Sequence, residues 1–310
     1  MSSRDVIAAV FGFFVLLVLA GSISAWTEFT RRIVIGLPAL PFQRRRSVPW
    51  GFDGIILTVG IFVLLVSIFM GLATQAGWVQ APTATDGKEI SLSNSSRLLQ
   101  IEATARIASC ILVTLWIATI YRASSFDLGW RLRRQDLLVG LVATLALLPP
   151  VFLLQALLTL FVTYEHPVLE LLDQSADFQF FLPMAFVAVF VAPVTEEFFF
   201  RVVLQGWLER RSLIHDGLDR EMEELQGEAS VPYWPILVSS TLFAAVHMGQ
   251  GPAPITLFFL SLGLGYLYRQ THSIWPSLVV HFSLNAITMT VAAIHIFNGD
   301  PLTSVETVNP

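Results

Sequence analysis

The chain has 310 residues, of which 55% are hydrophobic and only 13% are charged, and its mean hydropathy is +0.68. Soluble domains carry about 25% charged residues, so this composition excludes a soluble protein and indicates a polytopic membrane protein. The net charge of −5 leaves no basic surface for nucleic acid, which excludes nucleic acid as a partner.

Eight apolar segments lie along the chain. A membrane-spanning helix needs about 20 apolar residues, and on this criterion the sequence predicts an all-α, polytopic helical membrane protein with about eight transmembrane helices. The predicted spans cover approximately 6–26, 54–77, 104–121, 137–162, 180–204, 233–248, 254–269 and 274–297. The lipid bilayer is therefore the first predicted partner.

Basic residues are concentrated in alternate loops. The loops 27–53, 122–136 and 205–232, with the turn before the last span, hold 13 of the 18 lysines and arginines. Because cytoplasmic loops carry such an excess, we expect both termini to lie outside. We expect a multi-pass protein of the plasma membrane, the inner membrane of a bacterium. Cleavage of span one as a signal peptide after the small residues 21–25 is the alternative to a retained span.

The loops predict three further features. The 79–100 stretch is polar and predicts an outer loop, whereas 208–230 is rich in charged residues and predicts a solvated, helical cytoplasmic connector. Spans six and seven are short and are joined by a Gly/Pro turn at 248–254. We therefore expect a shallow hairpin whose turn lies below the outer surface, beside something polar.

Three polar motifs interrupt the apolar spans of the C-terminal half. Ionisable residues in a bilayer are costly and usually mark a functional interior. The motifs are Glu196-Glu197-x-x-x-Arg201 in span five, Phe243-x-x-x-His247 in span six and His281-x-x-x-Asn285 in span eight. Their residue types predict a polar site shared by several helices.

Helical spacing assigns different tasks to these residues. Glu197 and Arg201 are four residues apart, so we expect them to form an ion pair on one face. Glu196 is rotated about 100° away and needs a partner on another helix. His281 and Asn285 are also four apart and point to one place. An acid beside a histidine polarises water, and a His/Asn pair donates hydrogen bonds to an oxyanion.

The three motifs, in this order on successive membrane helices, resemble the CAAX protease and bacteriocin-processing family of intramembrane endopeptidases. The resemblance covers approximately 179–297. It implies that Glu196 is the general base on an attacking water molecule, and that His247 helps to hold and activate this water. It further implies that His281 and Asn285 stabilise the oxyanion in a buried catalytic cavity open to the cytoplasmic half.

The resemblance also implies which residues support the site and whether the reaction needs a metal. Glu197 and Arg201 would support the site, and a glutamate-activated water needs no obligatory metal. The family is nevertheless commonly called metalloproteases, so zinc on Glu196, His247 and His281 is the alternative. No His-Glu-x-x-His sequence is present.

The implied function is hydrolysis of a peptide bond in a membrane-associated or lipidated peptide or protein. The alternatives are a non-catalytic membrane scaffold or bacteriocin-immunity-type protein and a proton-coupled transporter, although no inverted repeat is visible. The predicted organisation has N-terminal spans and loops of unknown role over 1–135, the protease core over 136–297 and a short polar tail over 298–310.

Overall fold

Eight helices account for nearly all of the chain that the structure, a computed structural model, describes. The described residues are 3–43, 47–79, 92–162, 178–215 and 232–298. The helices are α1 (Ser3–Val34), α2 (Phe52–Gln75), α3 (Leu92–Ile120), α4 (Arg134–Leu158), α5 (178–215), α6 (Trp234–Ala245), α7 (Ala253–Thr271) and α8 (Trp275–Asn298). They correspond one to one with the eight predicted spans.

Among the described residues, five helical segments are long and apolar enough to cross a membrane. They are Gly12–Val34, Phe52–Gln75, Asn94–Ile120, Arg134–Leu158 and Trp275–Ile294. The protein is therefore a multi-pass, all-helical membrane protein, as predicted. Helix α6 has only 12 residues, about 18 Å at 1.5 Å per residue. This helix is short, as predicted, but its hairpin partner α7 has 19 residues and is longer than predicted. The depth of the turn between them stays a prediction.

The chain divides into two compact units. The first contains Met1–Pro49, Ala123–Tyr164 and Phe200–Val280. Within it, α1 packs against α4, and α7 packs against both α4 and α6. The indole Nε1 of Trp26 donates a hydrogen bond to the Ala146 carbonyl at 2.9 Å, which fixes α1 on α4.

The second unit contains Trp50–Arg122, Glu165–Phe199 and His281–Pro310. Helix α2 packs along α3, and α3 packs against the first half of α5. A core cluster joins α5 to α8 and is covered in part by Leu99 of α3. Its buried members are Phe181, Met184, Val189 and Met289. Three helices of this unit are thus held together around the first turns of α5.

Two predicted loops are partly wrong. Helix α3 begins at Leu92, so the end of the predicted 79–100 loop is helical, while 80–91 lies outside the described residues. The first residues of the 208–230 connector are helical as predicted, but Glu209 and Ser212 are buried rather than solvated. Residues 216–231 and the polar tail beyond 298 are outside the described part.

A close approach of α4 and α8 gives the first testable prediction. A Cβ built on Gly140 would lie 2.7 Å from the Cβ of Val279, whereas one on Gly60 of α2 would meet no atom within 4 Å. We expect Gly140→Ala to lower the free energy of unfolding by about 1–3 kcal/mol because of overpacking. Gly60→Ala is the matched control and should leave thermal unfolding in detergent unchanged or raise its midpoint slightly. Equal melting of the two variants would contradict this packing.

Candidate active site

Helix α5 departs from regular α geometry on both sides of its two glutamates. Its α-helical segment Ala192–Glu197 lies between the π-helical stretches Val187–Val191 and Phe198–Gln205. Such wide turns are rare and are frequent at functional sites. Because the register changes after Glu197, the four-residue spacing rule used for Glu197 and Arg201 does not apply in its α-helical form.

The first π-helical stretch explains the position of Asn285. The Ala192 N–H reaches back to the Val187 carbonyl, so the next carbonyl, that of Ala188, would pair with residue 193. Residue 193 is proline and has no N–H to donate. The Asn285 Nδ2 group donates to the Ala188 carbonyl instead, at 2.7 Å. One of its two amide hydrogens is thereby used to hold α8 on α5.

Glu197 is the buried partner of His281. Its side chain is fully buried, and its Oε1 lies 2.9 Å from His281 Nδ1. A carboxylate oxygen accepts, so Nδ1–H is the donor. This contact fixes the imidazole ring, so that Nε2 accepts a hydrogen bond in the neutral ring and donates one in the imidazolium.

Glu196 lies on the other side of the same imidazole. Its Oε2 is 3.8 Å from His281 Nε2, too long for a direct hydrogen bond. A water molecule placed to one side of the pair would be within hydrogen-bonding distance of both atoms. The Glu196 side chain is 16% exposed, against 0% for Glu197. Of the two adjacent glutamates, Glu196 is therefore the one that a substrate can reach.

A basic residue of α3, Arg106, also contacts Glu196, although it belongs to none of the three sequence motifs. Arg106 Nη1 lies 3.5 Å from Glu196 Oε1. Arg106 also donates to Glu102 through Nε at 3.0 Å and Nη2 at 2.6 Å. The available signal was an acid and a base four residues apart at the start of an apolar span.

Arg201 lies in the first unit and is completely buried. It donates to Ser239 Oγ at 3.2 Å and to Ser261 Oγ at 2.7 Å. Its guanidinium also lies over the Phe243 ring, with Cζ 5.4 Å from the ring centroid. These contacts tie α5 to α6 and α7. The predicted Glu197–Arg201 ion pair itself stays a prediction.

His247 also belongs to the first unit, in the turn that follows α6. Its Nδ1 is 2.8 Å from the Phe243 carbonyl. Because a carbonyl only accepts, Nδ1 carries the proton and Nε2 of the neutral ring is an acceptor. The Phe243-x-x-x-His247 motif thus fixes the tautomer of the histidine. Its predicted role beside the attacking water stays a prediction.

The structure brings two of the four predicted catalytic residues, Glu196 and His281, together in the second unit, with Glu197 as the link between the two helices. Asn285 lies in the same unit, where its amide binds the Ala188 carbonyl of α5. Among the described residues, no three His, Cys, Asp or Glu side chains are placed to hold a metal ion. The metal-free site and its zinc alternative both stay predictions.

Comparison with known proteins agrees with the motifs. Residues 178–287 match the protein-family model described as Type II CAAX prenyl endopeptidase Rce1-like. No curated protein and no solved structure matches the chain. The matched family is one of intramembrane peptidases, and the matched region contains the glutamate–histidine site. Over residues 178–287, the chain is similar to the Rce1-like family of type II CAAX prenyl endopeptidases, which confirms the resemblance that the motifs indicated.

Proposed function

We propose that this protein hydrolyses a peptide bond of a membrane-associated or lipidated peptide or protein. The observation that carries the proposal is the pairing of Glu196 with His281 at 3.8 Å, backed by Glu197. This arrangement lies in the region that matches the endopeptidase family. The proposed location is a bacterial inner membrane.

The proposed reaction begins with a water molecule that donates a hydrogen bond to Glu196. As the water oxygen attacks the peptide carbonyl carbon, its proton passes to the Glu196 carboxylate. The resulting oxyanion accepts hydrogen bonds from Nε2–H of His281, in its imidazolium form, and from the second amide hydrogen of Asn285. Glu196 then gives the proton to the departing amine as the C–N bond breaks. His247, whose Nε2 is an acceptor in the neutral ring, helps to hold the water.

A panel of internally quenched peptides tests this function and its substrate class. The full chain, reconstituted in liposomes, would receive a farnesylated peptide with cysteine four residues from its C-terminus, and the same peptide without the lipid. A bacteriocin-precursor peptide and a membrane-protein remnant complete the panel. We expect cleavage of the lipidated peptide with a new C-terminus at the modified cysteine. A folded protein that cleaves none of the four would favour the scaffold or immunity-type alternative.

Metal removal gives a second prediction. In the proposal, Glu196 activates water without a required metal, so we expect 1,10-phenanthroline or EDTA to leave the cleavage rate within about twofold of that of the untreated protein. If a metal were catalytic, it would act by lowering the pKa of its bound water, and its removal would stop the reaction. A loss of activity that added zinc restores would therefore contradict the metal-free mechanism. The same chelators applied to a known zinc peptidase are the control.

A further inference from the structure

Arg106 connects two carboxylates of different helices. Two of its nitrogens, Nε and Nη2, donate to one oxygen of Glu102. Its third nitrogen, Nη1, faces Glu196 Oε1 at 3.5 Å. A guanidinium is a planar fork with donors on more than one edge, so it can hold one carboxylate while it orients another.

This arrangement separates the tasks of the two Glu196 oxygens. Oε1 faces Arg106, whereas Oε2 faces the imidazole Nε2 of His281. A carboxylate held at one oxygen by a fixed cation cannot rotate freely. The oxygen that accepts the proton of water is therefore already directed toward the histidine, which removes an orientation cost from the reaction.

The setting of Arg106 argues against an incidental surface pair. Exposed ion pairs contribute little to stability, but the Arg106 side chain is only 30% exposed. It lies in the span Asn94–Ile120, over the ring of Phe62 at 5.7 Å. Charged residues within a span are costly and usually functional. Helix α3 also lies outside the 178–287 match, so the family motifs assign nothing to Arg106.

We propose that Arg106 is a positioning residue for the reacting carboxylate of Glu196, and that Glu102 in turn fixes Arg106. This inference rests on the proposed peptidase function. It gives the N-terminal part of the chain a task, because α3 supplies the group that orients the general base. The rival possibility is that Arg106 binds an anionic group of the substrate, and kinetics separate the two.

The test compares variants of two arginines on α3. Arg106→Gln removes the cation at the site. Arg97→Gln makes the same change at an exposed arginine that donates to the Trp78 carbonyl. With the quenched farnesylated peptide as probe, we expect Arg106→Gln to lower kcat about 100-fold at unchanged KM, the scale of a misplaced reacting group. Arg97→Gln should keep the kcat and KM of the unaltered protein.

Conservative changes test the positioning role further. Arg106→Lys keeps the charge but not the planar guanidinium. We expect its kcat to be about tenfold higher than that of Arg106→Gln. Glu102→Gln loosens the anchor of Arg106, and we expect it to lower kcat about tenfold at unchanged KM. Both variants should melt within a few degrees of Arg97→Gln.

Several results would overturn the inference. A rise in KM with kcat retained would make Arg106 a substrate-binding residue. A loss of kcat that parallels a loss of thermal stability, or that Lys does not relieve, would make it purely structural. If Arg106→Gln is as active as the unaltered protein, the inference fails and the proposed function stands. If the unaltered, folded protein cleaves no peptide in the panel, the proposed function fails and the inference fails with it.

Discussion

Glu196→Gln should abolish peptide cleavage while leaving the fold intact. The amide has the shape of the carboxylate and still offers an oxygen to Arg106, which lies 3.5 Å from Glu196 Oε1. It cannot accept a proton from water, and loss of a general base lowers rates by about 100- to 10,000-fold. We expect kcat to fall at least 1,000-fold. The melting temperature should stay within about 2 °C, which corresponds to a change in the free energy of unfolding of about 1 kcal/mol or less.

Glu28→Gln is the matched control for this prediction. Glu28 is an exposed glutamate of α1 that pairs with Arg31 at 2.8 Å, far from any predicted catalytic motif in the sequence. The Glu28→Gln variant should cleave the peptide at the rate of the unaltered protein. Activity of Glu196→Gln within tenfold of this control would exclude Glu196 as the general base.

Arg201→Met should have the opposite effect, a loss of stability. The buried guanidinium donates to Ser239 and Ser261, and hydrogen bonds to charged groups contribute about 1.5–3 kcal/mol each. Methionine retains much of the volume but leaves both hydroxyls without their donor. We expect unfolding to become easier by about 3 kcal/mol, which lowers the melting temperature by roughly 6–12 °C.

Two further variants make the Arg201 prediction decisive. Arg31→Met makes the same change at an arginine whose side chain is 63% exposed, and it should melt like the unaltered protein. Arg201→Lys keeps a cation near the two serines, so we expect it to melt between Arg201→Met and the unaltered protein. It replaces Arg201→Met in the comparison if that variant fails to fold. Melting of Arg201→Met within 2 °C of Arg31→Met would contradict a stabilising role.

The helices could be predicted because hydropathy dominates membrane insertion. Predicted spans 54–77 and 274–297 agree with α2 (Phe52–Gln75) and α8 (Trp275–Asn298) to within two residues at each end. The largest difference is at the start of α3, which begins at Leu92 rather than near 104. Its first turns carry serines, Glu102 and Arg106, which lower the local hydropathy below that of a span although the backbone remains helical.

The motifs could identify candidate site residues from the sequence, but not the contacts that these residues make. Spacing rules act within one helix, whereas the Glu197–His281 contact joins residues 84 positions apart. The π-helical stretches around Glu197 change the register that a spacing of 3.6 residues per turn assumes. Asn285 was predicted from its motif, but its bond to the Ala188 carbonyl depends on Pro193 and a π-turn, which spacing alone does not reveal.

The most direct test of the central claim compares peptides released from membranes that contain either the unaltered protein or Glu196→Gln. Mass spectrometry would identify the new termini, and circular dichroism would establish that both proteins are equally helical. Because Glu196 is the proposed base, we predict termini that appear only with the unaltered protein. The same termini at equal abundance with both proteins, or none with either, would contradict hydrolysis by a Glu196-activated water.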